Sequence, residues 1–431
     1  MLVIELNEFN RELLESVANR LGLSHLQSVL GWQHAETWTE NEYDSGFLEP
    51  WAQWVSVHTG APASEHLVKN LGDVPHLKQE QIWETWSRQG AISVVWGVMN
   101  GNRRNAELCK VFIPDPWTFS EDAFPAAYQG LIELPRYLAK NYLDFSKRTA
   151  AGKAFRLLLA LLRSTRGTDL MNGARYLVKG LRKFGPTNLT FIVFFEYLSV
   201  MAFIRAVEKL KPDRAIVFIN MLAHVQHHYW STPDGSNCPQ IEFAATAVNE
   251  MLGKMINRCE SLALGRIAVL NALSQSCTDQ EPPWILYRPN NHAKLAQTLG
   301  VKALRVEPLM TYDAHVFFSD GAAATRGMQI LQSVKVAGKA LFLVEPDEHD
   351  PCKLFYRVAM SDPLPPDAEF VYQNQSARFT DHFTAIVQRT GKHQQKGDLL
   401  VNFKMSQKQL PNNEVSTLLL ELGSNSARSM V

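Results

Sequence analysis

The sequence is poor in the features that usually place a protein quickly. Five cysteines are spread over 431 residues, at 109, 238, 259, 277 and 352, an odd number with no Cys-x-x-Cys spacing. That speaks against a zinc finger and a disulfide framework, and reduced thiols in the cytoplasm are the expectation. Net charge is missing too. The 43 basic and 43 acidic residues cancel, so no overall field points to nucleic acid. Neither a P-loop nor a Gly-x-Gly-x-x-Gly fingerprint occurs. Met1-Leu-Val-Ile-Glu-Leu-Asn7 has no basic n-region or small-residue cleavage site and reads as a core strand, not a leader. The apolar run Leu189 to Ile204 is interrupted by Glu196 and falls short of the ~20 residues a spanning helix needs. No transmembrane segment is expected.

What is present is ordinary in amount and unusual in placement. A 46% hydrophobic, 20% charged chain of this length can bury a large core, as one domain with an insertion or as two domains. Near its middle, Ala215-Ile-Val-Phe-Ile219 reads as a buried strand after Lys211-Pro212-Asp213. Polar chemistry begins where that strand ends: Asn220, then His224, His227 and His228, with Tyr229 and Trp230 beside them. In open α/β sheets ligands bind at the carboxyl ends of strands, so these residues are site candidates. A capped helix start with space-filling imidazoles is the plain alternative.

Other strand ends behave similarly. The first strand breaks into Asn7-Glu8-Phe9-Asn10 before a helical pattern, a place suited to a polar ligand or to simple capping. Glu49-Pro50-Trp51-Ala-Gln53-Trp54 opens a short helix ending near Gly60. There Glu49, Gln53 and the planes of Trp51 and Trp54 suit a sugar or base, unless the tryptophans are core. The strand Ala91–Trp96 leads to a loop where Arg103 and Arg104 could hold an anionic group. Strands are further expected at 284–287, 316–318, 340–344 and 354–358, the last two paired antiparallel.

From about 126 to 211 the chain reads as helices throughout. Between Lys147 and Lys183 ten Lys or Arg stand against one acid, Asp169. A basic amphipathic insert of this kind covers a cleft, attracts an anionic substrate or lies on an anionic bilayer surface. The tail beyond Lys404 is polar and expected to be mobile.

The order of the strand-end motifs resembles the alkaline phosphatase superfamily, closest to its type I phosphodiesterase/nucleotide pyrophosphatase branch. The resemblance covers roughly 1–125 and 212–360. It implies a mostly parallel sheet sandwiched by helices, with 1–125 and 212–403 as a discontinuous α/β core, 126–211 as an inserted helical cap and 404–431 as a tail. It also implies a metal-binding Asp-Gly where Asn7-Glu8 stands, a nucleophile near Glu49-Pro50 and an Asp-x-x-x-His where Asn220-Met-Leu-Ala-His224 stands. An Asp-His pair falls at Ala272-Leu273. A late histidine has His292, His315 and His349 as candidates.

These departures remove most of a two-zinc ligand set, because an amide oxygen is a poor zinc ligand and hydrocarbon is none. The expectation is therefore a metal-poor site with no required cofactor, acting on a polar, anionic metabolite or glycan precursor. Glu8, Glu49 and His224 are its acid–base residues. Asn7, Trp51, Gln53, Trp54, Asn220, His227, His228 and Arg103 contact the ligand. Two alternatives stay open: a non-catalytic ligand- or partner-binding protein, and a phosphodiesterase with one zinc or manganese held by His224 with Glu8 or Glu5.

Overall fold

The computed structural model describes residues 1–40, 48–141, 143, 146–262, 264–309, 312–347 and 350–424. Chain contacts divide it into two compact units. The first comprises 1–139, 146–279 and the chain from Gly391 onward; the second is Gln280–Thr390 together with residues 140–145.

The first unit is built on β1 (Leu2–Leu6), β2 (Gln33–Trp38), β3 (Ser93–Val98), β4 (Cys109–Pro114), β5 (Arg214–Ile219) and β6 (Ile267–Leu270). Two later strands, Lys396–Val401 and Gln409–Pro411, complete an eight-stranded sheet. From one edge its order is Gln409–Pro411, β2, Lys396–Val401, β6, β1, β5, β3, β4. β6, β1, β5, β3 and β4 run parallel, and Lys396–Val401 is antiparallel to both neighbours. Strands of such a sheet are apolar on both faces because helices cover both. Leu2, Ile4, Leu6, Val217 and Ile219 enter one core layer, while Val3, Ile216 and Leu270 enter the other.

The covering helices follow from the same alternation. In chain order they are α1 (Arg11–Leu21), α2 (Ser24–Leu30), α3 (Pro50–Thr59), α4 (Ala63–His66), α5 (Ile82–Arg88), α6 (Glu133–Lys140), α7 (Lys147–Ser164), α8 (Gly167–Phe184), α9 (Asn188–Leu210), α10 (Met221–Tyr229) and α11 (Pro239–Ser261). Residues of α1, α9, α10 and α11 share the first core layer; Trp54 and Val57 of α3 and Trp83 and Trp86 of α5 fill the second. Pro50 stands in the first turn of α3, and Gly60, at φ +78°, closes it, as the sequence predicts. α9 runs six residues past the apolar stretch ending at Ile204. At 23 residues it is the one helix among those described that is long and apolar enough to cross a membrane. It is packed as a core helix, with Leu189, Val193, Tyr197, Met201 and Phe203 buried. Its Glu196 carboxylate accepts the N–H groups of Asn220 (3.1 Å) and Met221 (2.8 Å) at the start of α10.

Two boundaries differ from expectation. Residues 280–390 form their own unit instead of continuing the large sheet, with the strand order Phe342–Pro346, Lys353–Val358, Asp313–Phe317, Arg305–Pro308. The expected antiparallel pair is there, Val344 opposite Tyr356. The stretch after Lys404 is not a loose tail through its described length. Gln409–Pro411 pairs with β2, and the helix Val415–Ser424 buries Val415, Leu418 and Leu419 in the second core layer.

Candidate active site

Four parallel strands are followed by an asparagine at or just past their carboxyl ends: Asn7, Asn100, Asn220 and Asn271. At the end of β1 the chain turns through Asn7 and Glu8 into Asn10, whose side chain caps α1 by accepting the Leu13 N–H (2.8 Å). Gln226 of α10 clamps the turn. Its Nε2 donates to the Glu8 carbonyl (2.7 Å) and its Oε1 accepts the Asn10 N–H (2.9 Å). Within the turn Glu8 has φ +54°, the left-handed region that suits glycine and strains other residues.

The carboxylate so placed meets two imidazoles. Glu8 Oε2 lies 2.9 Å from His227 Nε2 and 3.0 Å from His393 Nε2, and the two Nε2 atoms are 3.2 Å apart. The Nε2–H of the Gln275 amide also donates to Oε2, and Asn7 Nδ2 donates to Oε1 (2.8 Å). Each imidazole turns its other nitrogen to a backbone carbonyl, His393 Nδ1 to Leu48 (2.7 Å) and His227 Nδ1 to Gly391 (3.2 Å). A carbonyl only accepts, so both Nδ1 atoms carry hydrogen and both rings turn Nε2 toward the carboxylate oxygen. Two Nε2 atoms and a carboxylate oxygen converging on one point need a shared positive charge, from a proton or a cation. Burial alone would raise the Glu8 carboxyl, but the charges and hydrogen bonds of His393 and His227 outweigh it and hold the group well below the usual carboxylate range.

Glu49, the residue before α3, borders this cluster. Its carboxylate is largely buried, does not cap the helix, and has Oε2 4.0 Å from His393 Nδ1. On α10, His224 lies one turn before His227, with its ring centroid 4.6 Å from that of His228. Burial, and then the neighbouring His227, push His224 down to about 4, so it is neutral at pH 7.

The remaining expected site residues have other duties. Asn7 is saturated: Nδ2 also donates to Asn220 Oδ1 (2.8 Å), and its Oδ1 accepts the Trp54 Nε1–H (2.7 Å). It braces Glu8 and Asn220. Trp54 was expected to offer a stacking face but is fully buried between His58 and Phe218. Gln53 is also enclosed, accepting from Thr39 Oγ1 and Asn412 Nδ2. Trp51 is half-buried and ties its Nε1 to the Lys69 carbonyl (2.8 Å). Arg103 lies over the Phe124 ring, 3.7 Å from its centroid, and its Nε donates to Cys109 O (3.1 Å) at the amino end of β4. That is the edge opposite the strand ends where Glu8 lies. Glu5, weighed as a metal ligand, is engaged with His58 Nε2 (2.7 Å) in the core beneath α3.

Neither described candidate for the late histidine joins the Glu8 cluster. His292 hydrogen-bonds Tyr356 Oη (2.7 Å) inside the second unit, where His315 also lies, and His349 falls outside the described residues. The histidine that reaches Glu8 is His393, in the short strand Gly391–Gln394, which pairs with β7 (Ser274–Cys277). The motif Gly391-Lys-His393 just ahead of the apolar run Leu399–Val401 is the signal that could have found it.

No family model matches the sequence, and no curated protein matches it. Among solved structures, phosphonoacetate hydrolase from Sinorhizobium meliloti in complex with phosphonoformate is similar over 98% of this chain and 95% of its own, at 13% identity and TM-score 0.45. Murine ectonucleotide pyrophosphatase/phosphodiesterase 5 covers the same shares at 11% identity and TM-score 0.47. A mutant of the alkaline phosphatase PafA does so at 11% and 0.47. At these identities and scores, none lends a substrate, a metal or a residue role to this chain.

Proposed function

We propose that this chain is a hydrolase or group transferase for a polar, anionic metabolite bearing a phosphoester or glycosyl group, working at Glu8, His227, His393 and Glu49. One observation carries the reading: the convergence of His227 Nε2, His393 Nε2 and Glu8 Oε2, all within 4.8 Å of one another, with both Nδ1–H groups anchored on carbonyls. Metal-ligating histidines are oriented in the same way. In tetrahedral zinc sites, ligand atoms stand about 3.3 Å apart, so a divalent transition-metal ion needs the three atoms to spread only by a few tenths of an ångström.

Backbone strain supports a functional Glu8. A non-glycine residue held at φ +54° costs roughly 1–2 kcal/mol, and that cost is tolerated where a carboxylate is wanted. The two-metal set suggested by the motif resemblance does not fit these residues. Asn7 spends its amide on Glu8, Asn220 and Trp54, and Ala272 and Leu273 are buried hydrocarbon. One cation held by Glu8, His227 and His393 is the arrangement the donors allow. It would supply Lewis-acid charge for a phosphoryl or carbonyl oxygen. Glu49, at the positive end of α3, is the acid–base residue, and neutral His224 is a hydrogen-bond partner for substrate.

The test is elemental analysis of the untagged protein beside assays with aryl phosphodiesters and glycosyl phosphates. About one equivalent of zinc or manganese is expected in the wild type and none in His393→Ala. Turnover should be lost in Glu49→Gln with the metal retained. A metal content indifferent to Glu8, His227 and His393 would sink this reading. Ligand binding without turnover would make the chain a binding protein.

A further inference from the structure

Two consecutive helices of the basic segment carry apolar rows turned outward. On α7, Phe155, Leu158 and Leu162 fall three and four residues apart along one stripe and are 61%, 51% and 51% exposed. The packed side of the same helix is formed by Leu157, Ala160 and Leu161. On α8, Met171, Val178 and Leu181 repeat the pattern, with Met171 62% exposed. Single exposed apolar side chains are normal on a protein surface; two successive rows are not.

The outward rotation of α8 is locked. Gly173 and Gly180 let it lie directly on α9: a Cβ at Gly173 would come within 2.7 Å of Leu198, and one at Gly180 within 2.8 Å of Thr190. Any larger residue would lift the helix, so this face points inward and the Met171 row points away.

Charge says what covers the rows. Arg163 flanks the row on α7, where the neighbouring Arg156 is paired with Glu133 (2.9 Å), and Arg175, Lys179 and Arg182 flank the row on α8. The one acid between Lys147 and Lys183, Asp169, is met by Lys254 Nζ at 3.1 Å. A second copy of this chain would oppose the same positive face to itself. An anionic lipid surface complements both features, taking apolar side chains into the acyl boundary while phosphates meet the flanking cations.

We propose that α7 and α8 form a peripheral membrane-docking surface for anionic bilayers. The inference is independent of how the Glu8 site is read. It is tested by floating the full chain with vesicles of phosphatidylcholine alone or with about one third phosphatidylglycerol, at about 0.1 M and 0.5 M salt. The expected result is at least about tenfold more bound protein with the anionic vesicles, falling as salt rises. The triple variant F155E/L158E/L162E should lose that binding about tenfold. R175Q/K179Q/R182Q should lose much of the preference for anionic lipid. Both should keep the wild-type circular dichroism and melting temperature, since the altered side chains face solvent. Equal recovery with neutral vesicles, or none with anionic ones, overturns the proposal. So does a dimer in light scattering that the triple glutamate variant dissolves, which would make this a protein–protein face.

Discussion

Replacing His393 by alanine tests the site most directly, because His393 touches every other member of the cluster. The substitution removes a hydrogen bond to the Leu48 carbonyl and one partner of Glu8 Oε2. Glu8 keeps His227, Gln275 and Asn7, so its charge is not left bare. The structural cost is that of one charge-assisted hydrogen bond, about 2 kcal/mol, below the 3–5 kcal/mol of an orphaned buried ion. The larger effect is on cation binding. At free zinc of about 100 times its dissociation constant, the wild type gains about 2.7 kcal/mol, a rise of roughly 5 °C in melting temperature for a unit of this size. Losing one protein ligand of three weakens binding by at least 100-fold on the scale of metal-site substitutions. The same zinc concentration then stabilises His393→Ala by only about 0.4 kcal/mol. Scanning calorimetry with and without zinc measures both numbers. His292→Ala is the control, because that ring serves the second unit's core, and it should keep the full zinc-dependent shift. Equal zinc shifts in wild type and His393→Ala would refute the reasoning.

Three further expectations follow from contacts around the same turn. Gly391→Ala would drive its Cβ into Gln275 Oε1 and within 2.6 Å of the Gln226 backbone carbonyl, displacing the Gln275 side chain that donates to Glu8 and pressing on α10; urea titration should show a loss of about 1–3 kcal/mol and weaker metal retention. Trp54→Phe keeps the buried ring but strands Asn7 Oδ1, so a loss of about 1–3 kcal/mol is expected, read as a lower urea midpoint. Stability should also fall with acid in two stages. His66 and His224 are held near 4 by burial, so the unfolded chain takes up their protons first as pH drops below about 6.5. Their contribution is lost between there and about 4, at most about 3 kcal/mol per buried ring and less for His224, which is partly exposed. Glu8 adds its own loss below about 4.5, where the unfolded carboxyl protonates while the folded one resists. Chemical unfolding at pH 7.5, 5.5 and 4 reads both stages.

Much of the sheet could be read from local pattern, because buried parallel strands are continuous apolar runs. Leu2–Leu6 and Arg214–Ile219 became neighbours in the fold, and each ends in the polar residues that marked it. The site was half legible. Glu8, Glu49 and His227 stood at recognisable strand and helix ends, whereas His393 is 385 residues from Glu8 in sequence, and no local periodicity encodes that distance. Gln409–Pro411 is too short to show alternation, and what makes it a strand is the edge of β2. The separateness of 280–390 lay hidden for another reason: its strands are short apolar stretches like those of the main sheet, and only pairing partners tell them apart. Trp54 misled by residue type, since an indole at a strand-end helix serves stacking or core equally well until its neighbours are known.

The asparagines explain how the strand-end region holds together without paired carboxylates. Asn100 joins Gly72, Trp51 and Asn70; Asn271 joins Phe9 to Asp398; Asn7 joins Trp54, Glu8 and Asn220. An amide donates and accepts at once, so each can join a donor on one segment to an acceptor on another, which a carboxylate, accepting only, cannot do. Aspartate at 7 would turn a donor into an acceptor facing Glu8 Oε1 and Asn220 Oδ1, setting like partial charges about 2.8 Å apart. Glu8 can therefore project its single charge toward His227 and His393 only while residue 7 stays neutral. Asn7→Asp should weaken the cluster it adjoins without touching either histidine, and a variant that instead bound two metal equivalents would show that the amides, not the backbone, limit the proposed site to one cation.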